Sequence, residues 1–508
     1  MRAVPTLVPR GSAAIISCRW VGGGIPWLLM GAGLLAAVWS MAQDDGGWYL
    51  NAARSCADGH WLPYRDFFFP QGPLACWFYL PAVWTSDPLL AGRLLSAGAT
   101  LIGAFLLAQS VERLNPGMGR WVPWGLLLMP LLLAFAALVK THAPVLLVLG
   151  LAVWALANNR PTLALLFLGL STFFRISLSP LPLLFAVWQW RKGCPRVTLA
   201  LVLPIVGWLL LYALSEGQVA EHLFIPLSRS GVNTLTGAYE APKGSLNAWQ
   251  ILDRKLSTIL RCFLAFPILI WVWGAIPRRS IRCEAGQAMI FGGMVMVAVH
   301  LLANRPYDEY KIPGAFLLLG GLLSTCDASP GIGAVYFQNR GKLQAGILFL
   351  CVIFPYMRVF SWAWAAQGRP WIPRIHAQQN WLEKNLPPGR WYPFDAYLAL
   401  ISSRPVEPAS RWGEFSFLPA APRALVLANA LHNRETLTAL FDRGRLDAVL
   451  CPANVWPNLG PIIAGRQEWG EVPSLPTCFR NDDRLFIRRL KALPRKLQHD
   501  ENPHDPSL

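Results

Sequence analysis

The chain is a succession of apolar stretches, many of them long enough or nearly long enough to cross a bilayer, separated by more polar segments, two of them long. A helix needs about 20 apolar residues to span the hydrocarbon, and fewer where neighbours thin it. Stretches of this kind fall at residues 24–42, 88–110, 121–139, 143–157, 162–173, 176–190, 197–214, 257–276, 288–303, 312–326 and 344–362. They predict an all-α polytopic membrane bundle of about eleven transmembrane helices. Hydrophobic residues are 54% of the chain and charged ones only 14%, with 24 tryptophans. That composition excludes an ordinary cytosolic enzyme, a disordered chain and a collagen-like fibre.

Charge fixes a register for the spans. The net charge of +17 would suggest nucleic acid in a soluble domain. Here it reads as Lys and Arg held on the cytoplasmic side, with no nucleic-acid partner. Arg2, Arg10 and Arg19 precede the first stretch, and Gln43-Asp44-Asp45 follows it without a cleavage site, so a retained helix with a cytoplasmic N-terminus is expected. Every second loop is then basic: Arg113 and Arg120, Arg160, Arg191 with Lys192 and Arg196, Arg278 with Arg279 and Arg282, Arg340 with Lys342. An odd number of spans leaves the tail outside. Residues 1–364 are read as the membrane domain, 365–490 as a small extracytoplasmic α/β domain, and 491–508 as a frayed end. Within the tail, the short apolar runs 424–428 and 448–451 flank a helical pattern at 434–441. Ten cysteines include no C-x-x-C pair; Cys56 with Cys76, and Cys451 with Cys478, fall outside and can either oxidise or stay free.

The first outside loop, residues 44–87, carries the most chemistry. Asp44-Asp45 stands where the first span ends. Trp48, Ala52, Ala53 and Cys56 follow at helical spacing, which predicts a short amphipathic helix lying on the membrane and ended by Asp58-Gly59. A second interfacial helix is expected over about 74–84, after Pro73.

Asp44-Asp45, Tyr49, Ala53, Gly59, Tyr64-Arg65-Asp66 and Gly72-Pro73-Leu74 together resemble the first outside loop of the polytopic type C glycosyltransferases, among them the protein O-mannosyltransferases and the lipid A aminoarabinose transferases. Asn304-Arg305-Pro306-Tyr307-Asp308-Glu309-Tyr310-Lys311-Ile312-Pro313 is similar to the loop leading into a late span of such enzymes, and Leu386-Pro387-Pro388-Gly389 and Ser403-Arg404-Pro405 to their outward-facing C-terminal domain. Two departures stand out. The second acid is Asp45 rather than Glu, and Lys140-Thr141-His142 occupies the next outside loop where many relatives place a carboxylate. The resemblance implies transfer of a sugar from a polyprenyl-phosphate carrier to an extracytoplasmic acceptor in an inner membrane, with inversion at the anomeric carbon.

The chemistry of the residues agrees with that reading. Nucleotide sugars are cytoplasmic, so an outward site needs a donor already carried across by a lipid. An attacking acceptor must lose a proton, and Asp44 is the candidate general base, with Asp45 orienting the acceptor or assisting a cation. A leaving lipid phosphate needs cations. Arg65, Lys140, Arg175, Arg305 and Lys311 are the candidates, headgroup snorkelling being the alternative for each. Arg175 interrupts two apolar runs at Phe173-Phe174-Arg175-Ile176-Ser177. Tyr49, Tyr64, Asp66, His142 and Tyr310 are the candidates for the acceptor pocket, and residues 216–254 for a lid or a passive connector. Whether a divalent cation is a cofactor stays open, as do two rival functions: a flippase of lipid-linked sugars, and a noncatalytic glycan-assembly subunit.

Overall fold

The structure is a computed structural model that describes residues 24–41, 46–224, 283–302, 308–325, 371–419, 421–428, 430–452, 455–479 and 483–488. The expected spans 257–276 and 344–362, the lid segment beyond residue 224 and the expected boundary at 364 lie outside the described residues.

Two long apolar helical stretches, Pro88–Leu114 and Pro195–Leu214, meet the length of a membrane crossing, and Gly24–Ser40, His142–Ala157, Pro161–Thr172, Glu284–Val299 and Ile312–Thr325 are shorter apolar helices. Helix α1 (Gly24–Ser40) buries Met30, Leu34 and Val38 at helical spacing, while Leu28, Leu35 and Trp39 point outward, apolar on both faces as a lipid-exposed helix must be. The first outside loop forms α2 (Gly46–Ala57), α3 (Leu74–Phe78) and α4 (Leu80–Val83) before α5 (Pro88–Leu114) returns into the bundle. The stretch at 121–139 is broken into α6 (Val122–Leu127) and α7 (Pro130–Ala136). Pro130 accounts for the break: it lacks an N–H, and the residue before it, Met129, is held out of the helical region at φ −118°, ψ 71°.

Helix α8 (His142–Ala157) lies along α5, and glycines set the crossing. A Cβ at Gly103 would come 2.6 Å from Leu146 O, and one at Gly150 would come 2.7 Å from Gly103 O, so only hydrogen side chains permit this approach. Helices α9 (Pro161–Thr172), α10 (Pro180–Arg191), α11 (Val202–Leu214), α12 (Gln218–Phe224), α13 (Glu284–Leu302) and α14 (Ile312–Thr325) follow. The ends of α1 and α9 and the starts of α5, α8 and α14 meet at one end of the bundle, here the loop end. Arg113, Arg160, Arg191 and Lys192 mark the opposite end, where Lys192 pairs with Glu284. The alternation of basic loops is therefore consistent with the helix directions.

The C-terminal region contains a small four-stranded sheet, β1 (Trp391–Pro393), β2 (Ala448–Cys451), β3 (Trp469–Glu471) and β4 (Arg484–Arg488), in the order β1-β2-β4-β3. The β1–β2 pair is parallel, with Trp391 opposite Ala448, and the other pairs are antiparallel, with Val449 opposite Phe486. Val449, Cys451 and Phe486 enter a core with Tyr392, Leu437 and Phe441, whereas Ala448, Leu450, Leu485 and Ile487 enter a second with Leu382, Leu398 and Phe479. Both sheet faces are covered, which is why these strands read as continuous apolar runs. The helical pattern at 434–441 becomes a helix, Arg434–Asp442, whose Asn433 and Thr436 cap one another reciprocally. The run at 424–428 is not a strand, as its apolar character suggested, but the helix Arg423–Ala428.

This region seats on α2 and its loop. Asn51 Nδ2 donates to Ala396 O at 2.8 Å, Trp412 stacks on Phe67 with centroids 5.7 Å apart, and a Cβ at Gly47 would stand 2.5 Å from Tyr397 N. Ala396, Tyr397, Trp412 and Leu50 consequently share one core with the bundle. Helix α2 is buried along nearly its whole length, because Gly46, Gly47, Ala52, Ala53 and Ser55 let neighbours close on every side.

Candidate active site

Asp44, Asp45 and Arg305 lie outside the described residues. On either side of the acidic pair the described chain stops at Met41 and resumes at Gly46, both buried at the loop end.

The loop after α2 is built to hold a shape. Gly59 ends the helix at φ +97°, with His60 N–H donating back to Ser55 O. Asp66 accepts Leu62 N–H at 2.9 Å and Arg65 Nε at 2.8 Å. Burial alone would raise the Asp66 carboxyl, but these donors outweigh it and hold it below its ordinary range, so Asp66 is an ionised turn partner. Tyr64 is fully buried at φ 74°, a conformation strained for a bulky residue, and its hydroxyl donates to Gln71 O. Gly72 then meets the backbone of Phe173 so closely that a Cβ would lie 2.2 Å from its carbonyl oxygen, and Leu74 N–H donates to the same oxygen at 3.0 Å. The Gly72-Pro73-Leu74 motif is thus a docking point on the segment that carries Arg175.

Four elements bring cations together beside that point. Arg175, 8% exposed, sits in extended backbone between α9 and the turn Ile176–Leu178. Its guanidinium lies 4.1 Å above the Tyr310 ring, and Nη1 is 3.4 Å from His142 Nδ1. Lys311 follows Tyr310 in the turn Asp308–Lys311 and is fully buried. Lys140, 7% exposed, precedes His142 by two residues and holds Nζ 5.4 Å from the Phe135 ring centroid. The N-terminus of α8 starts at His142 with no side-chain cap from Thr141, so its partial positive charge adds to the same corner. Arg175, His142 and Tyr310 therefore converge, with Lys140 and Lys311 close by in sequence on the segments that carry His142 and Tyr310. Such a cluster can bind an anion with several oxygens.

Other candidates stand apart. Arg65 is half exposed and paired with Asp66. Tyr49 is buried, stacked on Trp48 at 4.3 Å and edge-on to Phe69 and Tyr79. Cys56, Cys76 and Cys451 are buried free thiols, and Cys478 is buried as well. Among the described residues no three His, Cys, Asp or Glu side chains group as metal ligands.

Three residues escaped the sequence reading. Arg93, fully buried in the second turn of α5, donates Nη1 to Val38 O at 2.7 Å, with Tyr397 beside the guanidinium. Its only sequence signal is one arginine inside the apolar stretch 88–110. His222 of α12 accepts Phe69 N–H at Nδ1 and packs against Phe68 and Tyr64, pinning the first loop. Tyr79 joins α3 to α4 and bonds the Lys140 backbone. In a chain rich in aromatics nothing in the sequence singles it out.

A helical bundle whose first loop forms helices at one end, covered there by a region with a small sheet, is a fold found in solved structures. In particular, the chain superposes on ArnT from Cupriavidus metallidurans bound to undecaprenyl phosphate with a TM-score of 0.60 at 12% identity, covering 93% of this chain and 98% of that one. The apo state of the same ArnT matches over the same shares with a TM-score of 0.57, again at 12% identity. Neither a protein-family model nor a curated protein matches the sequence.

Proposed function

We propose that this protein is an integral-membrane glycosyltransferase that moves a sugar from a polyprenyl-phosphate carrier to an extracytoplasmic lipid, glycan or protein acceptor. The carrying observation is the contact of Arg175 with His142 and Tyr310 at the loop end, with buried Lys140 and Lys311 on the adjoining segments, in a fold shared with a protein solved holding undecaprenyl phosphate. In this reading Arg175, Lys140 and Lys311, with Arg305, take the charge that grows on the lipid phosphate as the glycosidic bond breaks. Asp44 accepts the proton of the attacking acceptor, and Asp45 orients it. Attack from the face opposite the phosphate inverts the anomeric centre. Tyr49, Tyr64 and Asp66 shape the wall of the first loop rather than touching substrate.

The same reading sets the orientation. About eleven spans place the N-terminus in the cytoplasm, and the loop end and the region 365–490 outside an inner membrane. Basic helix ends opposite the site support it.

The test is transfer of a labelled sugar from a synthetic polyprenyl-phosphate donor by purified full-length protein, offered membrane lipid, glycan and protein acceptors. Transfer is expected in the native protein, and Asp44→Asn is expected to lower it by about 10²–10⁴-fold, the usual share of a general base, while membrane insertion is unchanged. Near-normal turnover in Asp44→Asn would remove the base assignment. Movement of the intact donor across the bilayer without transfer would make the protein a flippase instead.

A further inference from the structure

Tyr79 occupies the junction between α3 and α4 and is fully buried. A buried phenol is costly unless its oxygen and proton are matched. Here both are. The phenol has one proton, and a carbonyl can only accept, so the hydroxyl donates to Lys140 O at 2.6 Å. Its oxygen accepts Lys140 N–H at 3.1 Å, and Ser96 Oγ stands 2.8 Å away, itself bonded to Gly92 O. Tyr79 therefore grips the N–H and the C=O of the same residue. That fixes the peptide planes on both sides of Lys140, and with them the direction in which its side chain leaves the backbone.

The other end of the same short segment grips Arg175. Leu74 N–H bonds Phe173 O at 3.0 Å, two residues before that arginine. The stretch from Gly72 to Tyr79 thus holds the backbones of two cation-bearing segments, one at each end, through the Leu74 N–H and the Tyr79 hydroxyl.

We propose that Tyr79 is a positioning residue that sets Lys140 against Arg175 so that one phosphate meets both. This rests on the phosphate reading above and predicts a coupling that general packing does not.

The experiment measures binding of undecaprenyl phosphate to full-length protein in nanodiscs, for the native chain, Tyr79→Phe, Lys140→Ala and the double variant, each checked by thermal melting. Each single change is expected to weaken binding on the order of tenfold, the scale set by loss of a support behind a ligand-binding group. The double variant is expected to bind no worse than Lys140→Ala alone. Losses that multiply, or native affinity in Tyr79→Phe where Lys140→Ala is weakened, overturn the positioning role and leave the phosphate reading standing. Native affinity in Lys140→Ala overturns the phosphate reading itself. If Tyr79→Phe does not fold, Tyr79→His, which keeps a ring but cannot hold both backbone groups of Lys140, takes its place in the cycle under the same two outcomes.

Discussion

Arg93 places a guanidinium where no water reaches it, with Nε and Nη2 finding no acceptor among the described residues. A charge buried this way costs stability, and an apolar side chain of similar volume often restores it. Such a residue persists when function needs it. Arg93→Met is therefore expected to keep or raise the melting temperature of the purified protein while lowering sugar transfer at least about tenfold; a variant that is both native in stability and fully active assigns Arg93 no part in the chemistry. At this scale the sequence was a partial guide. Arg175 could be read from it because a lone cation between two apolar runs has few structural reasons to be there, and Lys140, His142, Tyr310 and Lys311 were placed at the same end by span counting. Arg93 sits inside one unbroken apolar stretch, where it looks like any polar interruption. Tyr79 acts through its hydroxyl on another residue's backbone, and no pattern in the chain records that.

Among the elements, the turn before α3 shows how a motif of three residues can carry geometry over a distance of a hundred residues in the chain. Gly72 abuts the carbonyl of Phe173, a backbone atom that cannot rotate aside. Gly72→Ala is expected to destabilise the protein by about 1–3 kcal/mol, the usual cost of overpacking, and to weaken undecaprenyl-phosphate binding because the displaced segment leads directly to Arg175. Gly98 of α5 has nothing within 4 Å of an added Cβ, so Gly98→Ala is the control, expected to be neutral or stabilising by up to about 1 kcal/mol. Equal melting temperatures for the two variants would show that the docking of Gly72 on Phe173 is not tight. Elements themselves were readable where apolar length or caps defined them: Pro88–Leu114, His142–Ala157 and Arg434–Asp442 all fall on their expected stretches. Reading failed where packing overrode pattern. The run 424–428 is apolar because Val426 enters the bundle's core, not because it is a strand.

For the whole molecule, the question is what keeps the C-terminal region on the bundle, since nothing in either segment read alone specifies the seat. Most of the contact is apolar, through Leu50, Ala396, Tyr397 and Trp412, and among the described residues the pH dependence falls to one ion pair. Asp87, the N-cap of α5, accepts Leu90 N–H at 3.0 Å with one oxygen, and its other oxygen lies 3.4 Å from His376 Nε2 on the helix Trp371–Asn385. Donating to the Asp87 carboxylate raises His376 above its ordinary value. Burial would raise Asp87, but His376 and the capping N–H outweigh it and hold the carboxyl below its ordinary range. The stabilisation from Asp87 is lost only as pH falls through that depressed value. The stabilisation from His376 is complete below its unfolded pKa and is lost as pH rises through the elevated folded one. The pair therefore contributes fully between about pH 4 and pH 6.5 and fades above that. With side chains 40% and 26% exposed, its worth is at most about 1 kcal/mol. Melting of the full-length protein is expected to drop more between about pH 6 and pH 8.5 in the native chain than in His376→Gln, which keeps a polar side chain but cannot gain the proton. Asp87 is left in place in this comparison because it also caps α5. Parallel slopes in the two proteins would mean that the His376–Asp87 pair contributes nothing to the seat of the region.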